Sequence, residues 1–319
     1  MWVVDLHEDV ITTIQGERSL DFGQVCPHLH GDLPSWRKGD YKIVVGAIFS
    51  LRRHWGTYLS EDAIKHVLRA AEKTRELAEQ FADDLMILET QKDLERCLAS
   101  NRIGILLAYE GAYELTDVWL LRALYRIGVR ILGLTWNVSN LWATGAGDPH
   151  DQGLTPFGRQ MVEKASDLGF ILDLAHASPR TYADVLEMDI RPPIVSHTGI
   201  LKQPKKTRNI SWDVTRRVME KGGIVGVALA RLFFEDEQMG FEDLVQTLTE
   251  LLQAFPNGLA VGTDFFGFGK EDEIPGIERV DKIQDVVRAL GQAGVSQKTL
   301  EAWTHENAIR YLQTHLPAT

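Results

Sequence analysis

Six positions scattered over more than 250 residues carry side chains able to hold a metal ion or move a proton: His7, Asp9, Glu110, His176, His197 and Asp264. Each stands where an apolar run ends, in Val-Val-Asp-Leu-His-Glu-Asp, Gly-Ile-Leu-Leu-Ala-Tyr-Glu-Gly, Phe-Ile-Leu-Asp-Leu-Ala-His, Pro-Ile-Val-Ser-His and Leu-Ala-Val-Gly-Thr-Asp. Imidazole or carboxylate at the end of a buried strand costs free energy unless it is paired or binds a cation. Singly, each has an ordinary explanation: a hydrogen-bonded His-x-Asp pair, a salt-bridged loop glutamate, a satisfied core histidine. Together they point to one metal-binding pocket.

In an extended segment residues i and i+2 face the same way, so His7 and Asp9 can reach one ion. Nitrogen and oxygen donors without thiolate favour Zn2+, with Mn2+ or Fe2+ also compatible. His7, Asp9, Glu110, His176 and His197 are too many for one open catalytic zinc. They suit two divalent ions sharing a bridging carboxylate and a bridging water. Such a pair acidifies the water and polarises a carbonyl or phosphoryl oxygen. Asp264 could ligate a metal or shuttle a proton between that water and the leaving group. Arg208, in Lys-Lys-Thr-Arg-Asn at 205–209, is either a solvated loop residue or a bidentate clamp for a substrate carboxylate.

The elements that must position these residues alternate between short β-branched runs and longer amphipathic segments, the order of a parallel sheet. Strands are expected at Trp2 to Leu6, Ile43 to Ser50, Ile103 to Tyr109, Arg130 to Thr135, Phe170 to Ala175, Pro193 to Ser196, Ile224 to Leu229 and Leu259 to Thr263. Helical patterns include Glu61 to Ala82, Pro156 to Leu168, Pro179 to Met188, Trp212 to Lys221 and Phe241 to Phe255. Thr155-Pro156 and Ser178-Pro179 pair an N-cap residue with proline at the first helical position. Eight such units predict an α/β fold, a closed (β/α)8 barrel forming a single domain over 1–319, with the donors at its carboxyl end. The first crossover, Val10 to Tyr41, reads as a long loop over that face, and the tail from Ser296 to Leu316 as two helices closing the barrel.

Composition narrows the partners. The formal net charge of −11 argues against nucleic acid, whose phosphates need clustered Lys and Arg. No apolar run approaches the roughly 18–20 residues that span a bilayer. Only Cys26 and Cys97 occur, so no disulfide framework or thiolate zinc site is expected. The amino terminus lacks a secretory pattern, and the simplest location is the cytoplasm. Neither a Gly-x-Gly-x-x-Gly turn nor a phosphate-binding Gly-Lys-Ser/Thr loop is present.

Read in order, the motifs resemble the membrane dipeptidase (renal dipeptidase) family of zinc hydrolases. They are Asp-Leu-His-Glu-Asp at 5–9, Tyr-Glu-Gly at 109–111, Leu-Thr-Trp-Asn at 134–137, Gly-Leu-Thr-Pro-Phe-Gly at 153–158, Asp-Leu-Ala-His at 173–176, Ser-His-Thr at 196–198, Arg-Asn at 208–209 and Gly-Thr-Asp-Phe at 262–265. The resemblance implies one zinc on His7, Asp9 and Glu110 and a second on Glu110, His176 and His197. A bridging hydroxide would attack the peptide carbonyl of a dipeptide, often one with a D-residue in second place. Asp264 would pass the proton to the departing amine, and Arg208, with Trp136 and Asn137, would bind the substrate. A homodimer is also compatible. Mammalian members have histidine where this chain has Trp136, and indole can donate a hydrogen bond but cannot carry a proton. The Val10 to Tyr41 crossover also departs from the family's pattern. Two other readings compete: a barrel amidohydrolase for N-acyl amino acids, lactams or lactones, and a non-catalytic binding barrel.

Overall fold

The computed structural model describes residues 1–16, 21–49, 60–236 and 238–318. Its strands are β1 (Val3–Glu8), β2 (Tyr41–Phe49), β3 (Leu85–Leu88), β4 (Ile103–Glu110), β5 (Val129–Gly133), β6 (Ile171–Asp173), β7 (Val195–Thr198), β8 (Ile200–Leu201), β9 (Ile210–Ser211), β10 (Val225–Val227) and β11 (Leu259–Val261). The main sheet runs β6-β5-β4-β2-β1-β11-β10-β7, every neighbouring pair parallel. A parallel bridge between Asp173 and Ile194 joins its two ends, with Leu174 N–H donating to Ile194 O at 2.9 Å and Ile194 N–H to Leu172 O at 2.8 Å. The sheet thereby closes into the expected eight-stranded (β/α)8 barrel.

Closure removes both sheet edges and buries every barrel strand on two faces, which is why these segments read as continuous apolar runs. One core cluster takes side chains from each barrel strand or the residue before it, among them Val4, Ile43, Leu106, Ile131, Ile171, Ile194, Ile224 and Ala260. Ala308, Tyr311 and Leu312 of the last helix pack on the same cluster. That helical tail also donates from Trp303 Nε1 to Ala260 O and from Asn307 Nδ2 to Leu259 O, which seals the amino-terminal mouth of the barrel. The opposite mouth is left for chemistry.

The helical expectations agree closely, with helices at Ser60–Gln80, Pro156–Leu168, Pro179–Leu186, Trp212–Glu220 and Phe241–Ala254. Thr155 and Ser178 cap theirs as expected, accepting from Gly158 N–H at 2.8 Å and Thr181 N–H at 3.1 Å. Three expectations need correction. The first crossover is not an open loop: it carries helices Val10–Gly16 and Leu33–Lys38, and the Trp36 side chain is fully buried. The tail is one continuous helical run, in which a π-helical stretch at Ala302–Glu306 joins Gln297–Glu301 to Asn307–His315. β3 was not expected at all; it pairs with the first half of β4, leaving the second half to β5. Ser50 and residues 17–20 lie outside the described residues. Among the described residues no helix is long and apolar enough to cross a membrane.

Candidate metal centre

All six donors gather at the carboxyl ends of the barrel strands. His7 lies in β1 and Asp9 just beyond it, Glu110 ends β4, and His197 lies in β7. His176 and Asp264 fall three residues past the ends of β6 and β11. The β1–β2 ladder slips between Asp5 and Glu8. Glu8 there accepts from buried Trp36 Nε1 at 3.0 Å, away from the site, while His7 Nε2 stays 3.6 Å from Asp9 Oδ2. This is how the middle residue of His-Glu-Asp becomes structural and its neighbours remain free for the pocket.

The donors approach closely. His7 Nε2 is 3.6 Å from Glu110 Oε2 and 3.8 Å from Asp264 Oδ1. His176 Nε2 is 2.8 Å from Glu110 Oε1 and 3.0 Å from His197 Nε2. Two triplets, His7–Asp9–Glu110 and Glu110–His176–His197, each place their ligand atoms within 4.8 Å of one another and share Glu110. The third triplet of this kind among the described residues is His7–Asp173–His197, but both Asp173 oxygens are already engaged, Oδ1 by the Ala175 and Ser196 N–H groups and Oδ2 by the Ser196 hydroxyl.

His176 and Asp264 both take left-handed backbone conformations, each with φ 65°. For a residue with a Cβ this costs on the order of 1–3 kcal/mol and persists only where the surroundings enforce it. Here Ala146 N–H and the Thr135 hydroxyl clamp the His176 carbonyl at 2.8 and 3.0 Å. Asp264 N–H donates to His7 O at 3.1 Å, and Gly267 N–H to Asp264 O at 3.0 Å. A side chain at Gly267 would put its Cβ 2.5 Å from Asp9 Oδ2 and 2.7 Å from Asp264 Oδ1, so the bare backbone there keeps room for the two carboxylates.

Burial pushes the Glu110 carboxyl up to about 8 and Asp264 up to about 7, with neighbouring carboxylates adding to the rise. Burial alone would discharge His7, but Glu110, Asp9 and Asp264 outweigh it and lift the imidazole to about 10. His176 and His197 go the other way, held well below the usual histidine value by burial and then by Arg208 and His7. The pocket thus sets acidic side chains against a protonated His7 and two neutral imidazoles, and a divalent cation could take over the charge that the His7 proton supplies.

Over this pattern lies a match to a family model described as membrane dipeptidase (peptidase family M19), covering residues 1–316. The chain belongs to the membrane dipeptidase family. It is 26% identical over 291 residues to dipeptidase tcpJ of Claviceps purpurea, a match covering 84% of this chain and 66% of that protein. It is also 26% identical over 298 residues to an uncharacterized dipeptidase of Schizosaccharomyces pombe, covering 88% of this chain and 71% of that protein. In fold it is similar to a metallo peptidase of Rhodobacter sphaeroides liganded with a phosphinate mimic of L-Ala-D-Ala, with TM-score 0.88, 21% identity and 99% of both chains covered. The probable dipeptidase PvdM of Pseudomonas aeruginosa is similar too, with TM-score 0.87, 17% identity and 99% and 94% covered. The family is one of metallo-dipeptidases, and the clustered donors agree with its dependence on metal.

The remaining expected residues of this family member also reach the pocket. The Trp136 ring is half-buried beside His176 and Phe49, with centroids 5.9 and 5.3 Å away. Asn137 Oδ1 is 2.8 Å from His176 Nδ1, so it holds the imidazole's outer nitrogen. The loop bearing Arg208 is pinned between β8 and β9, a small parallel pair. Its guanidinium donates through one nitrogen to His197 O at 3.0 Å and lies 5.0 Å from the Phe233 ring centroid. The other terminal nitrogen, Nη1, is buried without a hydrogen-bond partner.

Sequence reasoning missed the layer beneath. Asp5 on β1 accepts from His7 N–H, Thr263 N–H and the Thr263 hydroxyl; Asp173 on β6 accepts from Ala175 N–H, Ser196 N–H and the Ser196 hydroxyl. The two clamps are built alike. Each hydroxyl residue directly precedes a pocket residue, Asp264 or His197. The available signal was a charged Asp inside each apolar run, since a buried carboxylate must find donors.

Proposed function

We propose that this protein hydrolyses dipeptides, L,D-dipeptides among them, at a centre of two divalent ions, Zn2+ in preference. The observation that carries this reading is the pair of donor triplets sharing Glu110, with the unpartnered Arg208 Nη1 at the same pocket. His7, Asp9 and Glu110 would hold one ion and Glu110, His176 and His197 the other. Kind and spacing both fit. A tetrahedral shell with bonds near 2.0–2.1 Å separates its donors by roughly 3.3 Å. Buried His7 Nε2 has no hydrogen-bond partner, yet carboxylate oxygens surround it at 3.6–3.8 Å.

When bound, such ions supply a Lewis acid for the peptide carbonyl and a water acidified to near neutrality. The chain's own residues do the rest. Arg208 binds the carboxylate of the second residue, matching a planar fork to a planar anion, and thereby sets where the peptide bond lies against the donors. Asp264, whose Oδ1 lies 3.8 Å from His7 Nε2 and 3.7 Å from His197 Nε2, takes the proton of the attacking water and returns it to the departing amine nitrogen. Asn137 accepts from Nδ1 of His176 and leaves Nε2 to the ion. Trp136 forms an apolar wall beside His176 and contributes at most one N–H.

The test is a panel of L,L- and L,D-dipeptides, L-Ala-D-Ala first, given to zinc-reconstituted protein whose metal content is measured. Release of free amino acids with close to two ions per chain supports the reading. Metal-loaded protein inert on the whole panel ends it.

A further inference from the structure

We infer that Ser196, backed by Asp173, orients His7 and His197 together and fixes which ring nitrogen of each faces the pocket. The inference rests on the metal reading above, because His7 and His197 belong to different ligand triplets. Ser196 is buried, with its hydroxyl 2.5 Å from Asp173 Oδ2, 2.8 Å from His197 Nδ1 and 3.4 Å from His7 Nδ1. Three partners converge on one oxygen, and proton counting decides their roles. A hydroxyl has one hydrogen to give and two lone pairs to offer, whereas a carboxylate only accepts. The hydrogen therefore goes to Asp173, and both lone pairs receive Nδ1–H from the imidazoles. Nε2 of each ring is then left to act as a lone-pair donor. Those are the atoms that face Glu110 and Asp264: His7 Nε2 at 3.6 and 3.8 Å, His197 Nε2 at 3.9 and 3.7 Å.

The geometry explains why the two rings can lie almost on top of each other, with centroids 3.7 Å apart and planes 32° from parallel. Both lean on the same oxygen. It also explains why Asp173 is deep in the barrel without being a ligand: its oxygens are held by Ala175 and Ser196 and cannot turn toward an ion. His176 has its own support in Asn137 and is independent of this relay. Ser196 is thus a positioning residue for both halves of the centre.

Ser196→Thr and Ser196→Val test this in the full chain, since the two side chains have nearly the same shape and differ by the hydroxyl. Metal-stripped protein is titrated with zinc against a chromophoric chelator, and thermal melts of the stripped forms monitor folding. Thr should keep near wild-type affinity, while Val should weaken it by about 10- to 100-fold, the usual effect of removing a ligand's support. Asp173→Asn should move in the same direction, because an amide N–H can turn the serine proton toward the imidazoles and favour the wrong tautomer. Equal zinc affinity for the Thr and Val variants overturns the inference while leaving the metal reading intact. Wild-type protein that takes up no zinc overturns both.

Discussion

Arg208→Met separates a substrate clamp from a merely structural cation. In the structure one guanidinium nitrogen already serves His197 O, and Nη1 is buried with no partner. A bound carboxylate would engage that free nitrogen and compete for the other. Hydrogen bonds to charged groups contribute about 1.5–3 kcal/mol each, so a forked pair is worth roughly 3–6 kcal/mol. At about 1.36 kcal/mol per decade this corresponds to a fall of about 10²- to 10⁴-fold in kcat/KM. Methionine keeps most of the aliphatic stem and removes the guanidinium, its contact with the Phe233 ring included. The assay is kcat/KM on a dipeptide and on the same dipeptide capped as a C-terminal amide, at equal metal content. The loss should fall on the free acid, with the amide nearly unchanged between wild type and variant. An equal loss on both substrates refutes the clamp and leaves Arg208 as a support for His197, whose carbonyl it bonds, and for His176, whose Nε2 lies 3.2 Å from the same guanidinium nitrogen.

His176→Ala should abolish turnover and reduce bound metal, measured by elemental analysis, while the metal-stripped variant melts close to the stripped wild type, because this rim residue adds little to the apolar core. Gly267→Ala should lower kcat at least about tenfold with little change in Tm, since its Cβ would displace Asp9 and Asp264 from their places and 1 Å misplacements cost that much or more; full activity in that variant would show the close approach to be irrelevant. Asp32 is buried under Arg279, and although burial works against its charge, the Cys26 and Ser35 N–H groups, the Ser35 hydroxyl and Arg279 hold its carboxyl below the usual range. A depressed folded value means its contribution is complete above the unfolded value of about 3.9 and is lost as pH falls through the folded one. Asp32→Asn should therefore cost about 2 kcal/mol at pH 7 and progressively less below about pH 4, as read by denaturant melts at each pH. A cost independent of pH would contradict this.

Much of the site was legible in one dimension because its chemistry sits where a pattern changes. An apolar run that ends in imidazole or carboxylate announces a strand and a donor together, as at His7, Glu110 and His197. The caps at Thr155 and Ser178 were equally plain, since a Thr or Ser followed by proline at the head of an amphipathic segment marks a helix start. β3 gave no such sign: Leu85–Leu88 is four apolar residues with no functional residue at its end, and its place follows from an unpaired stretch of β4. The crossover from Val10 to Tyr41 misled because its His, Gly and Pro content suggests a loop. Its helices are held from outside the segment, as where Arg279 bonds Cys26 O, Leu29 O, Asp32 and Ser35.

Residue type and order along the chain determined which groups could bind metal and that they would share one end of a barrel. Which of them meet, and what stands behind them, was decided only by closure and register. Ser196 and His7 are 189 residues apart, and nothing local couples them. Their contact exists because eight strands of fixed stagger bring β1 and β7 to face each other across the barrel interior, where a slip of one residue would turn Ser196 away from His7.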